Sequence, residues 1–177
     1  MTRPRLPRLH LPRLAGAALA ALTLIATPVA AAPTAAVRDQ LLAAHNVERD
    51  RLGLPRLTWN PDLADHAQAW ADHLTSLGSL QHSANETRTG EGENLWMGTA
   101  GYYDPAAMVG SWADERADFR LGVFPDVGDD WHKVGHYTQM VWRNTTQVGC
   151  AIASGNGWDY LVCRYSPPGN WMGEKPY

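Results

Sequence analysis

Apolar residues recur along this chain with two different periods, and the periods lay out its elements. From Val37 to about Leu52 the positions Val37, Leu41, Ala44 and Leu52 keep near-helical spacing, and Gly53 then supplies a C-terminal stop. A second helix is better marked: Asn60 caps it, Pro61 suits its first turn and Asp62 complements its dipole. Leu63, Ala67, Trp70 and Leu74 form its apolar stripe and Gly78 ends it. Asp104-Pro105 repeats the cap-then-proline signal and opens a third helix, on which Met108, Trp112 and Glu115 share one face. Gly92-Glu93-Asn94-Leu95-Trp96-Met97 reads as a short extended segment, and the chain between Phe119 and Trp131 as a loop.

The stretch from Gly135 to Trp142 reads as a strand that opens on a histidine. Its odd positions carry Tyr137, Gln139 and Val141 and its even positions His136, Thr138, Met140 and Trp142. Neither set is cleanly polar, which predicts a strand covered on both faces. After a polar break a second strand reaches Cys150. Asn156-Gly157 is then a strong signal for a two-residue type I′ hairpin turn. Cys150 and Cys163 each stand six residues from that turn, so they face one another on adjacent strands, at a non-hydrogen-bonded pair where side chains approach most closely. The pattern predicts a disulfide between them. Helices and strands interleave without a repeat or linker, which predicts a mixed sheet covered by helices.

Composition adds a destination. Four arginines, Arg3, Arg5, Arg8 and Arg13, precede an apolar run from Leu14 to Ala26, and Val29-Ala30-Ala31 offers the small residues that signal peptidase takes. Residues 1–32 are therefore expected to be a secretory signal and 33–177 a single domain with a real core. The run is shorter than the roughly 20 apolar residues that span a bilayer, so the mature protein is expected outside the cell and without integral membrane association. Removing the four arginines takes the formal net charge from −3 to −7. An acidic surface argues against nucleic acid or anionic membrane as the principal partner. In an exported chain cysteines pair by default, which agrees with the hairpin and removes both thiols as nucleophiles. Lys133 and Lys175 are the only lysines, a bias toward arginine that suggests a GC-rich bacterial genome. No feature of the pattern selects an oligomeric state.

Several side chains need partners. Glu115 shares a face with a methionine and a tryptophan, and a lone buried charge is costly, so it calls for a cation, a hydrogen bond or a metal. His45 is expected to be a buried, hydrogen-bonded side chain that pins the first helix to the sheet. His66 and His73 lie seven residues apart near Asp62, Asp65 and Asp72, which reads as a solvated helix flank in preference to a surface metal site.

Four segments then resemble a known family. Gly135-His136-Tyr137-Thr138-Gln139-Met140-Val141-Trp142 is similar to the first signature of the CAP superfamily, the cysteine-rich secretory, antigen 5 and pathogenesis-related 1 proteins. The segment Tyr160-Leu161-Val162-Cys163-Arg164-Tyr165-Ser166-Pro167-Pro168-Gly169-Asn170-Trp171 is similar to the second. His45-Asn46-Val47-Glu48-Arg49 with Leu57-Thr58-Trp59, and Gly92-Glu93-Asn94-Leu95, match supporting segments. The resemblance, running from about Arg38 to Tyr177, implies an α+β fold: a three-layer α-β-α sandwich around a central mixed or antiparallel sheet. It also implies a cleft lined by His82, Glu93, Glu115 and His136. The long loop between His82 and Gly92 leaves Glu86 and Glu91 as alternatives to Glu93. No cysteine-rich tail is present to support ion-channel modulation.

Two chemistries fit those four residues equally. Neutral imidazoles of His82 and His136 would hold Zn²⁺ while the glutamates fix their tautomers or act on a bound water; alternatively the four form a metal-free hydrogen-bonded network that requires no cofactor. The resemblance further implies a lipid-like or small amphipathic ligand, since several family members carry sterols or fatty acids. Trp96, Trp131, Trp158 and Trp171 lie in or near loop-like segments that suit an apolar groove, whereas Trp70, Trp112 and Trp142 are expected in the core. His132 and Lys133 would add a polar contact. A metal-assisted hydrolase or protease is the alternative, although Ser83, next in sequence to His82, has poor prospects as its nucleophile. A structural or protein-interaction module is the second.

Overall fold

The computed structural model describes residues 33–177, so the expected signal segment lies outside the described residues. The first helix, α1, spans Ala35–Arg51, capped by the Thr34 hydroxyl, which accepts from Val37 N. A two-residue strand, β1 (Thr58–Trp59), leads into α2 (Pro61–Leu77), where Asn60 Oδ1 accepts from the amides of Asp62 and Leu63, as the sequence predicts. There follow β2 (Gly92–Thr99), α3 (Pro105–Asp114), α4 (Gly135–Met140), β3 (Gln147–Gly155) and β4 (Trp158–Ser166).

The sheet order is β1-β3-β4-β2, with β1 parallel to β3 and the other pairs antiparallel. Period-two alternation splits the strands between two cores. Ala151, Ala153, Tyr160, Val162 and Leu95 pack against Ala67, Ala71 and Leu74 of α2. Val148, Cys150, Leu161, Cys163 and Tyr165 pack on the other face against Leu41, Met108, Trp112, Tyr137 and Met140, from α1, α3 and α4. Helix, sheet and helices thus make the expected three layers. Gly149 lets α2 sit so close: a Cβ there would strike the backbone of Asn60 and Ala64.

The hairpin holds its predicted register. Asn156 and Gly157 both have positive φ, Gly155 faces Trp158, and Cys150 faces Cys163 with Cα atoms 4.1 Å apart and a disulfide formed. His45 is fully buried, its Nδ1–H donating to Leu41 O at 2.8 Å and its Nε2 accepting from Tyr165 Oη at 2.8 Å, which pins α1 to β4.

The expected strand from Gly135 to Trp142 is instead the short helix α4 with a turn after it. The reason is tertiary. The Arg49 guanidinium, itself fully buried, donates to the carbonyls of Pro55, Met140, Trp142 and Thr145, satisfying groups that a six-residue helix leaves bare at its C-terminal end. Burial on almost every side, with Tyr137, Thr138, Gln139 and Met140 all inside, erases the periodicity that separates helix from strand. A smaller correction accompanies it: Glu115 follows α3 as its C-terminal cap residue instead of lying within the helix. Trp96 lies on β2, the expected extended segment, and Trp158 opens β4 beside the hairpin turn.

Candidate functional site

Edge strand β2 builds the site from two adjacent residues that face opposite ways. Glu93 points to the α2 side, opposite Arg164 of β4, and its side chain is 0% exposed. Its Oε1 accepts from His82 Nδ1 at 2.7 Å and from Ser83 N at 3.0 Å; its Oε2 accepts from Ser83 Oγ at 2.8 Å and pairs with Arg164 Nη2 at 3.0 Å. Asn94 points to the other side and donates from Nδ2 to His136 O at 3.0 Å and to Tyr165 Oη at 3.1 Å. One dipeptide therefore holds a histidine on each side of the sheet edge.

The second pair mirrors the first. Glu115 Oε1 lies 2.6 Å from His136 Nδ1, and Oε2 accepts from Tyr137 N at 3.0 Å. The His136 ring stacks on Trp112, centroids 5.8 Å apart and 17° from parallel, and Trp112 Nε1 donates to Leu95 O. Asn170 ties down the start of α4, donating to Gly135 O and accepting from Thr138 Oγ1. Between the two pairs lies a cavity of about 240 Å³ lined by His82, Glu93, Asn94, Trp131, His132, Gly135, His136 and Asn170. All four expected cleft residues are thus brought together, Glu115 as the anchor behind His136.

The alternatives to Glu93 go elsewhere. Glu91 bridges His66 Nδ1 at 2.7 Å and Arg164 Nη1 at 3.1 Å, and Glu86 is exposed in the turn Asn85–Thr87. His73 lies against Trp70, ring centroids 4.7 Å apart, so His66 and His73 do not converge. Trp70 is only partly buried, while Trp112 and Trp142 are in the core as expected.

The electrostatics favour a charged Glu93. Burial on its own would raise the Glu93 carboxyl, but the bonds from His82 and Ser83 together with the Arg164 charge hold it below its ordinary range. An ionised carboxylate only accepts, so His82 carries its proton on Nδ1 and leaves Nε2 without a protein partner. The same geometry applies at His136. A histidine held at one nitrogen by a carboxylate, with the other facing a cavity, suits a borderline divalent cation such as Zn²⁺. Among the described residues, the three-donor group whose ligand atoms lie within 4.8 Å of one another is His45 with Cys150 and Cys163, and the disulfide removes both thiolates from that group. Ser83 is buried, with its hydroxyl donating to Glu93 and accepting from Arg164 Nη2, so it is a structural link and no poised nucleophile.

Arg164, Asn94 and Asn170 were given no role in the sequence reading although all three lie inside its motif segments. Their signal was weak because only strand register and long-range contacts bring them to the cleft.

Residues 42–165 match the family described as CAP, cysteine-rich secretory protein family. Similar proteins include pathogenesis-related leaf protein 4 of Solanum lycopersicum, 40% identical over 137 residues, which span 77% of this chain and 80% of that protein. Pathogenesis-related protein 1A of Nicotiana tabacum is 39% identical over 137 residues, 77% and 78% of the two chains. Among solved structures, that of NaASP2 with Zn²⁺ superposes with a TM-score of 0.72 at 26% identity, covering 82% of this chain and 87% of the other.

Proposed function

This chain belongs to the CAP family of cysteine-rich secretory proteins, and from that premise we propose that it is an exported protein whose cleft takes a small amphipathic ligand. His82 and His136 receive the ligand's polar end, directly or through a weakly held divalent cation. The observation that carries this reading is the paired tethering of Nδ1 by Glu93 and Glu115, which leaves Nε2 of both histidines available at one cavity. Two protein ligands are fewer than the three of an ordinary open zinc site, so affinity for metal should be modest.

Size supports a head-group in the cleft instead of a whole lipid. A cavity near 240 Å³ is below the roughly 300 Å³ at which drug-sized ligand pockets begin. The apolar part of the ligand would lie along Trp131 and out into a neighbouring groove of about 500 Å³, which shares Asn170 with the cleft and has Trp171, 55% exposed, in its wall. The hydrolase alternative has less support, because Glu93 already accepts at both oxygens from His82, Ser83 and Arg164 and the Ser83 hydroxyl is tied to it as a structural link.

Calorimetric titration with Zn²⁺ is expected to find one weak site, lost in His82→Ala and in His136→Ala; unchanged binding in both variants would sink the metal assignment. Native mass spectrometry of the protein taken from its own secretions is expected to show a lipid-like adduct, and an adduct-free spectrum would remove the carried ligand.

A further inference from the structure

The cleft has a third imidazole. His132 lies in the single turn Trp131–Lys133 just ahead of α4 and lines the same cavity as His82 and His136. Its Nδ1 stands 2.9 Å from Asp130 Oδ1, as His82 Nδ1 stands against Glu93 and His136 Nδ1 against Glu115. All three histidines around one cavity therefore commit the same nitrogen to a carboxylate and keep Nε2 without a protein partner. His66 also has its Nδ1 on a carboxylate, but it faces away into a separate pocket with Trp70 and Arg164.

Resting on the two-histidine reading above, we propose that His132 is a third ligand for a divalent cation of borderline softness, such as Zn²⁺, in this cleft. Three protein ligands with one position left to solvent is the ordinary make-up of an open zinc site, and a carboxylate behind each imidazole orients it and raises its basicity as a ligand. No three donor atoms of the cleft lie within 4.8 Å of one another among the described residues, so binding requires side chains to turn inward. The two that must turn are the two more exposed, each pivoting on its Nδ1 bond to a carboxylate: the His132 side chain is 70% exposed and that of His82 55% exposed. His136, stacked on Trp112, is the fixed member. The face of Trp131, 3.8 Å from the His132 ring centre to centre, gives that ring a surface on which to move. Asp130 has a second task, since its Oδ1 also accepts from His132 N at 3.0 Å and caps the turn, so the turn remains anchored while the ring rotates.

Cobalt(II), which absorbs strongly in the visible when four-coordinate and weakly when six-coordinate, tests this on the purified protein alongside calorimetry with Zn²⁺. His132→Phe keeps the stack on Trp131 without the nitrogen, and His132→Ala removes the ring from an exposed position where folding does not depend on it. Both are expected to weaken binding at least tenfold and to cut the visible absorption, while Lys175→Ala, at an exposed position outside the cleft lining, changes neither. If both His132 variants bind as the wild type while His82→Ala and His136→Ala lose binding, the third-ligand inference falls and the two-histidine reading stands. If the wild type binds neither metal, both fall.

Discussion

His45 is neutral because it is fully buried: desolvation, with a smaller push from the Arg49 charge, lowers its pKa from 6.5 to about 4. Its hydrogen bonds run in one direction, from Asn94 Nδ2 to Tyr165 Oη, from Tyr165 to His45 Nε2, and from His45 Nδ1 to Leu41 O. Asn94 also holds His136, so this core histidine and the cleft share a residue. The unfolded chain protonates at the ordinary imidazole pKa while the folded one resists to about 4, so the unfolded state binds more protons across that interval. Stability is then full above pH 6.5 and declines as the pH falls to 4, by about 3 kcal/mol for this one group. Urea unfolding at pH 7 and pH 4 is expected to show that loss, and His45→Gln, less stable at pH 7, to show a flatter profile; an identical slope in the variant would rule out His45 as the source. Glu93, whose folded pKa is also lowered, acts in a lower window, with its contribution present above about pH 4.5 and lost as the pH falls further.

At the scale of elements, α4 is too short to be stable by itself and is held from three directions. Glu115 Oε2 accepts from Tyr137 N near its start, Asn170 binds Gly135 O, and Arg49 gathers the carbonyls beyond its end. Arg49→Met keeps much of the apolar stem but strips donors from four carbonyls. Leaving such buried acceptors unmet should cost about 3 kcal/mol or more, and His136 should lose its fixed place along with α4. Chemical denaturation together with the Zn²⁺ titration checks both effects; a variant with wild-type stability would show that the carbonyls are satisfied without Arg49. The hairpin is the opposite kind of element. Its turn, register and disulfide all follow from one short stretch of chain, with the two cysteines 13 residues apart, and they stand as the sequence predicts.

For the whole molecule, the two cores share one sheet, so the layers on its faces are built on the same strands. The mature protein recovered from outside the cell is expected to begin near residue 33, with an intact mass that fits one disulfide; N-terminal sequencing that returns Met1 would remove the signal segment. Helix caps at Asn60 and Asp104 and the Asn156-Gly157 turn were legible in the chain because each uses contacts within three or four residues. The four residues named from the motifs lie around one cleft, with Glu93 and not Glu91 beside His82. Three features were not legible: the helical state of Gly135–Met140, the choice of Glu93 over Glu91, and the bridging by Arg164 of the two glutamates. Each depends on partners distant in the chain, such as Arg49 about ninety residues from the carbonyls it binds. Local chemistry specifies where elements start and stop. Which backbone groups find a buried partner, and which side chains share a cavity, are set when the layers close around the sheet.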